Sequence, residues 1–411
     1  MSRRVVVTGR AGLCPIGSDW KSVRDALLAG RSGIARVPEW EDVAGLKTRL
    51  GARVPDFAVP SDYPRKKTRS MGRVSLLMVR AAELALEDAG LRSSPELGSG
   101  RVGVSCGSST GSPPAIEVYG RQLFVGRTTS GIGGNEFLQF MSHTCAANVA
   151  SFFGVRGRII PTCSACTSGS QGIGYGYEAV KFGTQDWMLS GGAEELDVMD
   201  AAVFDVLFAA STRNDEPERT PRPFDAERDG IVVGEGAGCL VLEELEHARE
   251  RGATIHAEVV GYATNCDGRH LTQPDPEGME QVMRLGLESA GLAPSAIGYV
   301  NAHATGTEAG DIAESRACHA VFGERTPVSS LKGHIGHTLG ASGALEAWLS
   351  IEMMREGWFA PTLNLDAVDE RCAPLDYVRG EARALRTDCI MSNNFAFGGI
   401  NTSLVFQRWS E

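Results

Sequence analysis

Four stretches of the chain carry side chains that could do chemistry. Pro161-Thr-Cys-Ser-Ala-Cys166-Thr-Ser-Gly-Ser170 follows the apolar pair Ile159-Ile160 and leads into a small-residue helical pattern (Ile173, Tyr177, Val180) that ends at Gly183. The pattern predicts a buried strand turning sharply into a helix N-terminus, with Cys166 at the turn. A thiol there sits at the positive end of the helix dipole, where unpaired N–H groups favour thiolate. Cys166 is therefore a candidate nucleophile; the competing reading is a buried small hydrophobe, which is what most free cysteines are. In Val300-Asn-Ala-His303-Ala-Thr305-Gly-Thr307-Glu-Ala-Gly-Asp311-Ile-Ala-Glu314 a histidine ends a buried strand, where α/β proteins assemble their sites. Leu331-Lys332-Gly-His334-Ile-Gly-His337 places a second histidine where a strand (327–331) gives way to a helix, the position Cys166 holds earlier. Asn393-Asn-Phe395-Ala-Phe397-Gly-Gly399 is a glycine loop entering the last strand, able to aim backbone N–H groups at an oxyanion.

The elements that must position these residues repeat. Leu86-Glu-Asp-Ala-Gly-Leu91 precedes a strand and a Gly/Ser/Thr loop, and Leu287-Glu-Ser-Ala-Gly-Leu292 precedes a strand (297–301) and another such loop. Gly236-Ala-Gly-Cys-Leu-Val-Leu242, a glycine-led strand near the midpoint, has its counterpart in Gly398-Gly-Ile-Asn-Thr-Ser-Leu-Val-Phe406. Two αβ halves follow, 1–252 and 253–411, each with a mostly parallel or mixed sheet covered by helices. Near the start, Val5 to Val7 reads as a strand closed by a turn at Thr8-Gly9, followed by a helix over 20–28. Gly9, Gly12 and Gly17 lack the dinucleotide-loop spacing.

Composition bounds the function. A net charge of −11 argues against general nucleic-acid binding. Ten cysteines spread over 411 residues form no secreted disulfide framework, and a reducing cytoplasm is the simplest setting. The three apolar residues after Arg3-Arg4 fall short of a signal segment, and no run approaches a membrane span. Within this acidic chain Arg65, Lys66, Lys67, Arg69 and Arg73 form a local basic cluster. A zinc site of the His334/His337 pair with His303 and Asp311 fails because His334-Ile-Gly-His337 is a glycine-containing turn with no third ligand at motif spacing, and Cys163-x-x-Cys166 as a redox motif explains none of the other loops.

Together these residues resemble the β-ketoacyl-acyl-carrier-protein synthases. The motifs are Cys166 in Ser164-Ala-Cys-Thr-Ser-Gly169, His303-x-Thr-x-Thr307 backed by Gly-Asp-x-x-Glu314, Lys332 five residues before His337, and a closing Phe-x-Phe-Gly-Gly399. The likeness extends through Phe224-Asp-Ala-Glu-Arg-Asp-Gly230 and Gly234-Glu-Gly-Ala-Gly238. Gly191-Gly-Ala-Glu-Glu-Leu196 leans towards type I synthases and Cys166-Thr-Ser-Gly169 towards type II. A thiolase would share the fold but needs a C-terminal cysteine that 395–399 lacks, and a silent chain-length factor would lack Cys166.

The resemblance implies an α/β thiolase-like fold whose duplicated halves form a five-layered α-β-α-β-α core, a homodimer or a heterodimer with a silent homologue, and no cofactor. It implies that Cys166 takes an acyl group from acyl carrier protein, that malonyl carrier loses CO2, and that the enolate attacks the acyl-Cys166. His303 and His337 would donate to the malonyl thioester through Nε2–H, and the N–H groups of Cys166 and Phe397 would hold the oxyanion, with Phe395 beside the gate. Lys332 would pair with Glu314 as an organiser of the histidine loops. Thr305 and Thr307 would meet substrate, and Thr110 would floor a tunnel for short to medium chains. Asn301, Glu346, Ser392 and Asn393 match a monovalent-cation site, while Arg65, Lys66, Arg69 and Arg127 would dock the carrier. Ala304, Ala396 and Ile400 depart from the family pattern, which admits a specialised lipid, polyketide or aryl polyene pathway beside fatty acid synthesis.

Overall fold

A computed structural model describes residues 2–410. Its large sheet uses strands β1 (Val5–Leu13), β2 (Val102–Gly107), β3 (Ile159–Thr162), β4 (Trp187–Glu194), β5 (Gly236–Glu244), β6 (Ala257–Cys266), β7 (Tyr299–Asn301), β8 (Pro327–Ser329), β9 (Asp376–Tyr377), β10 (Cys389–Ala396) and β11 (Ile400–Arg408). The helices that matter for the site are α1 (Arg73–Asp88), α2 (Thr144–Phe153), α3 (Ser168–Lys181), α4 (Val198–Val206), α5 (Pro276–Ala290), α6 (Glu308–Phe322) and α7 (Ser342–Glu356).

The strand order is β9-β8-β7-β10-β11-β6-β1-β5-β4-β2-β3. It reads as one five-strand pattern used twice. In the first half β2 is parallel to β3 and β4, and β5 is antiparallel to β4 and β1. In the second half β7 is parallel to β8 and β10, and β11 is antiparallel to β10 and β6. The halves join where Val5, Val6 and Val7 of β1 pair antiparallel with Val259, Glu258 and Ala257 of β6. Helices α3 and α7 pack on each other between the two sheet halves, α1 and α2 cover the outside of the first, and α5 and α6 cover the second. These are the five layers of the thiolase-like fold. Strands covered on both faces have no polar face to show, and every residue of β4 is buried.

One expectation fails instructively. The chain does not turn at Thr8-Gly9: β1 continues to Leu13 with a register shift between Val7 and Gly9. The glycines there serve close packing, since a Cβ on Gly9 would lie 2.2 Å from the Ala85 carbonyl oxygen of α1 and one on Gly12 2.2 Å from the Trp348 ring of α7. Among the described residues no helix is long and apolar enough to cross a membrane.

The close fit of α3 on the sheet makes a stability prediction. A Cβ on Gly172 would lie 2.3 Å from the Gly191 carbonyl oxygen and 2.9 Å from that of Ser105, both rigid backbone atoms. Gly172→Ala should lower stability by about 1–3 kcal/mol in urea unfolding. Gly134→Ala, whose Cβ meets nothing within 4 Å, is the matched control expected to show no loss.

Candidate active site

The nucleophile turn is built by backbone as much as by side chain. After β3, Ala165 adopts φ 50°, a left-handed conformation rare for a residue with a Cβ, and a short 3-10 turn (Ala165–Thr167) feeds α3. Thr162 Oγ1 donates to the Ser168 carbonyl at 2.8 Å and Thr167 Oγ1 to that of Ser164 at 2.7 Å, which fastens the turn on both sides of Cys166. The equivalent turn before α7 repeats the device: Leu339 has φ 44° and opens a 3-10 turn (Leu339–Ala341). His337 lies just before it, and its Nε2 is 3.0 Å from Cys166 Sγ.

His303, at the end of β7, completes the group. Its ring lies edge-on to that of His337, 5.1 Å between centroids, and ligand atoms of Cys166, His303 and His337 all lie within 4.8 Å of one another. The three residues line a cavity of about 410 Å³ with Phe204, Phe395 and Phe397. Thr305 and Thr307 also line it, their hydroxyls 3.0 Å apart. Two carboxylates on one face of α6 fix the histidine loop: Glu314 accepts the backbone N–H groups of His303 and Ala304 at 2.7 and 2.6 Å, and Asp311 those of Thr305 and Gly306 at 3.0 and 3.2 Å.

One expectation is corrected here. Lys332 does not pair with Glu314; its Nζ meets Glu346 Oε1 of α7 at 2.5 Å, both side chains fully buried. Glu314 is already occupied by backbone donors, and α7 brings Glu346 across the site. In the set expected to hold a cation, the other oxygen of Glu346 accepts the Asn394 amide at 2.6 Å. Ser392 Oγ accepts from Asn301 Nδ2 at 3.2 Å, which leaves Asn301 Oδ1 and Asn393 Oδ1 as the buried, unpartnered oxygens of that set. Asn301, Glu346, Ser392 and Asn393 are all fully buried, and orphaned amide oxygens of this kind are ligands that a monovalent cation accepts.

The electrostatics also differ from the sequence expectation. Burial pushes the Cys166 thiol up to about 12 against the opposing charge of Lys332, so the thiol, not the thiolate, is the resting form. Burial and the Lys332 charge hold both His303 and His337 well below the usual histidine range, so both rings are neutral. His337 Nδ1 faces Ser342 Oγ at 3.0 Å. The thiol can donate to Nε2 while Nδ1–H donates to Ser342, or Nε2–H can donate to sulfur while the serine hydroxyl donates to Nδ1.

The remaining residues fall into place around this centre. His334 is a core histidine whose Nδ1 and Nε2 face the carbonyls of Arg31 and Pro361 at 2.9 and 3.2 Å, so that a neutral ring donates to one of them. Phe397 begins the hairpin after β10, and its ring packs 5.5 Å from Phe204, a residue that no sequence signal sets apart from other apolar helix residues. The Thr110 hydroxyl is buried without a hydrogen-bond partner, and Thr110 is not among the residues that line this cavity. In the basic cluster Arg73 is bidentate to Glu235 and Lys67 caps the Phe152 carbonyl at 2.5 Å. Arg65, Lys66 and Arg69 stand on a single helical turn, and they and Arg127 make no ion pair with described residues.

A strand-led cysteine turn facing two neutral histidines on a duplicated sheet is the layout of a condensing enzyme, and comparison with known proteins agrees. Residues 2–248 match the beta-ketoacyl synthase N-terminal domain and residues 256–366 the C-terminal domain. The chain belongs to the β-ketoacyl synthase family. It is 39% identical to the 3-oxoacyl-[acyl-carrier-protein] synthase 2 of Coxiella burnetii, over 99% of both chains. A crystal structure of a beta-ketoacyl synthase from Burkholderia phymatum superposes with a TM-score of 0.98 at 58% identity, covering 99% of this chain and 100% of that one. The ishigamide ketosynthase/chain length factor superposes with a TM-score of 0.92 at 32% identity over the full length of both.

The thiol's resting state has a measurable signature. In a Cys163→Ala, Cys266→Ala background, which removes the two exposed thiols, iodoacetamide alkylation of Cys166 should rise about tenfold per pH unit from pH 7 to 10 without a plateau. A thiolate–imidazolium pair would instead give a flat profile above pH 7.

Proposed function

We propose that the chain is a 3-oxoacyl-acyl-carrier-protein synthase of fatty acid biosynthesis, and the observation that carries this reading is the packing of Cys166, His303 and His337 within 4.8 Å of one another at one cavity. The cycle begins with acyl transfer. Cys166 sulfur attacks the thioester of an acyl carrier, the carrier thiol leaves with the cysteine proton, and the N–H groups of Cys166 and Phe397 hold the tetrahedral oxyanion. Malonyl carrier then enters by way of Thr305 and Thr307, and Nε2–H of His303 and of His337 donate to its thioester oxygen. The carbon–carboxylate bond breaks, CO2 leaves, and the electron pair is held as the enolate. The enolate carbon attacks the acyl-Cys166 carbonyl, the C–S bond breaks, and 3-oxoacyl carrier is released. Neutral rings suit this work, because a donor that carries no charge can stabilise the developing enolate without first binding the carboxylate to be expelled.

The half that spans 1–252 carries the nucleophile and the half that spans 253–411 both histidines; Lys332, Glu346 and Glu314 act as positioning residues. No step calls for a cofactor. Arg65, Lys66, Arg69 and Arg127 supply the basic surface an acidic carrier needs on a chain of net charge −11. A homodimer through the β3 edge of the sheet is supported by its open position and by the exposed Ile159 upon it; a silent homologue is the other occupant of that edge. The cytoplasm is the compartment that fits a carrier-dependent enzyme. The likeness to the ishigamide ketosynthase favours a second reading, in which the same reaction serves a specialised lipid, polyketide or aryl polyene.

Partial reactions test the roles. Cys166→Ala should abolish acyl loading seen by intact-mass spectrometry, and His303→Ala and His337→Ala should load but release CO2 from malonyl carrier about 10²–10⁴ times more slowly. Loss of loading with normal decarboxylation in the histidine variants would refute their assignment.

For docking, charge reversal at Lys66 and Arg69 should weaken carrier binding and flatten its salt dependence. Unchanged KM for the carrier at low ionic strength would remove those residues from the docking surface.

A further inference from the structure

Asn394, near the end of β10, is fully buried and touches both the ion pair and one histidine. Its Nδ2 is 2.6 Å from Glu346 Oε2 and 3.4 Å from His303 Nδ1, while Glu346 Oε1 receives Lys332 Nζ. The amide cannot be turned over: its oxygen would then oppose a carboxylate oxygen at 2.6 Å, and a carboxylate only accepts. Its present Oδ1 instead faces Gly343, where a Cβ would lie 2.6 Å from it. The amide nitrogen has two hydrogens and two acceptors in reach, and no lone pair to offer.

We propose that Asn394 is a positioning residue that fixes the tautomer of His303, with Lys332 and Glu346 orienting its amide so that Nδ1 must accept and the ring hydrogen must reside on Nε2. His337 differs, since the Ser342 hydroxyl on its Nδ1 can donate or accept. The two histidines are therefore not equivalent: His337 can change tautomer as the Cys166 proton moves, whereas His303 is held as a permanent Nε2–H donor. This gives the buried ion pair a task in the reaction, reached through one amide.

The proposal rests on the condensing-enzyme reading for its kinetic consequence but not for its direct test. Imidazole ¹⁵N NMR of the wild type, with His303 assigned by its absence in His303→Ala, should show Nε2 protonated and Nδ1 bare; a protonated Nδ1 overturns the proposal whatever the enzyme catalyses. Asn394→Asp keeps the shape, shares a proton with Glu346 and offers His303 Nδ1 an acceptor, which inverts the tautomer. Malonyl decarboxylation should fall about 10²- to 10⁴-fold, the range seen when a catalytic histidine is held in the wrong tautomer. Asn394→Ala, which frees the ring without inverting it, should lose only about 10- to 100-fold. Equal losses in the two variants, with His303 unchanged in its ¹⁵N spectrum, would reduce Asn394 to a packing residue and overturn the proposal. A wild type that decarboxylates no malonyl carrier would refute the functional reading instead and leave the spectrum to decide the tautomer.

Discussion

The site exists because two helices can approach N-terminus to N-terminus between the sheet halves. A Cβ on Gly169 of α3 would lie 2.9 Å from the Gly340 oxygen and from the Ala344 nitrogen, and one on Gly343 of α7 2.6 Å from the Ser170 nitrogen. Without side chains at these points the backbones close, and the residues just before each helix, Cys166 and His337, reach 3.0 Å. Chain duplication explains why both helices begin in the same way. Each follows a parallel strand, and each enters through a 3-10 turn whose first residue, Ala165 or Leu339, holds a positive φ. Such strain persists only where the surroundings over-determine it. Here the surroundings are the facing turn of the other half.

Around that contact, carboxylates do structural work. Asp311 and Glu314 lie three residues apart on α6 and so share one helix face; between them they take four consecutive backbone N–H groups from His303 to Gly306. Burial raises Glu314 to about 8 and Asp311 to about 6, opposed by those same donors. A loop held by its own backbone groups keeps its side chains free, which is why Thr305 and Thr307 can still face the cavity.

Much of this was legible in the sequence, for identifiable reasons. A short apolar run before a small-residue helix describes a strand–turn–helix locally, and the repeated Leu-Glu-x-Ala-Gly-Leu segments and glycine-led strands announce the duplication. Both histidines were found because each ends a strand in a Gly/Thr loop. What failed depended on which elements cross in space. The partner of Lys332 could not be chosen between Glu314 and Glu346 from spacing, since only the passage of α7 beside β10 decides it. Gly9 and Gly12 read in the sequence as candidates for a dinucleotide loop that fails on spacing, yet they matter for the neighbours a side chain would strike. Phe204 carries no motif, being an apolar residue on a helix, and Asn394 lies inside the stretch that ends at Gly399 but is not singled out there, because only its fold neighbours, Glu346 and His303, give it a task.

The electrostatic design turns on keeping the resting site uncharged at its reacting atoms. Burial that raises the thiol and lowers both imidazoles makes every charge-separated form costly, and the buried ammonium of Lys332 is paired with Glu346. What remains are fixed dipoles: the N-termini of α3 and α7 and the N–H donors of two neutral rings. Dipoles of this kind do nothing for a neutral thiol, but they stabilise an oxyanion or an enolate without any reorganisation. In the reaction proposed above, charged histidines would hold the malonyl carboxylate in place and oppose the loss of CO2. The same burial that makes Cys166 a poor resting thiolate is thus what makes the surrounding donors effective once negative charge develops on substrate.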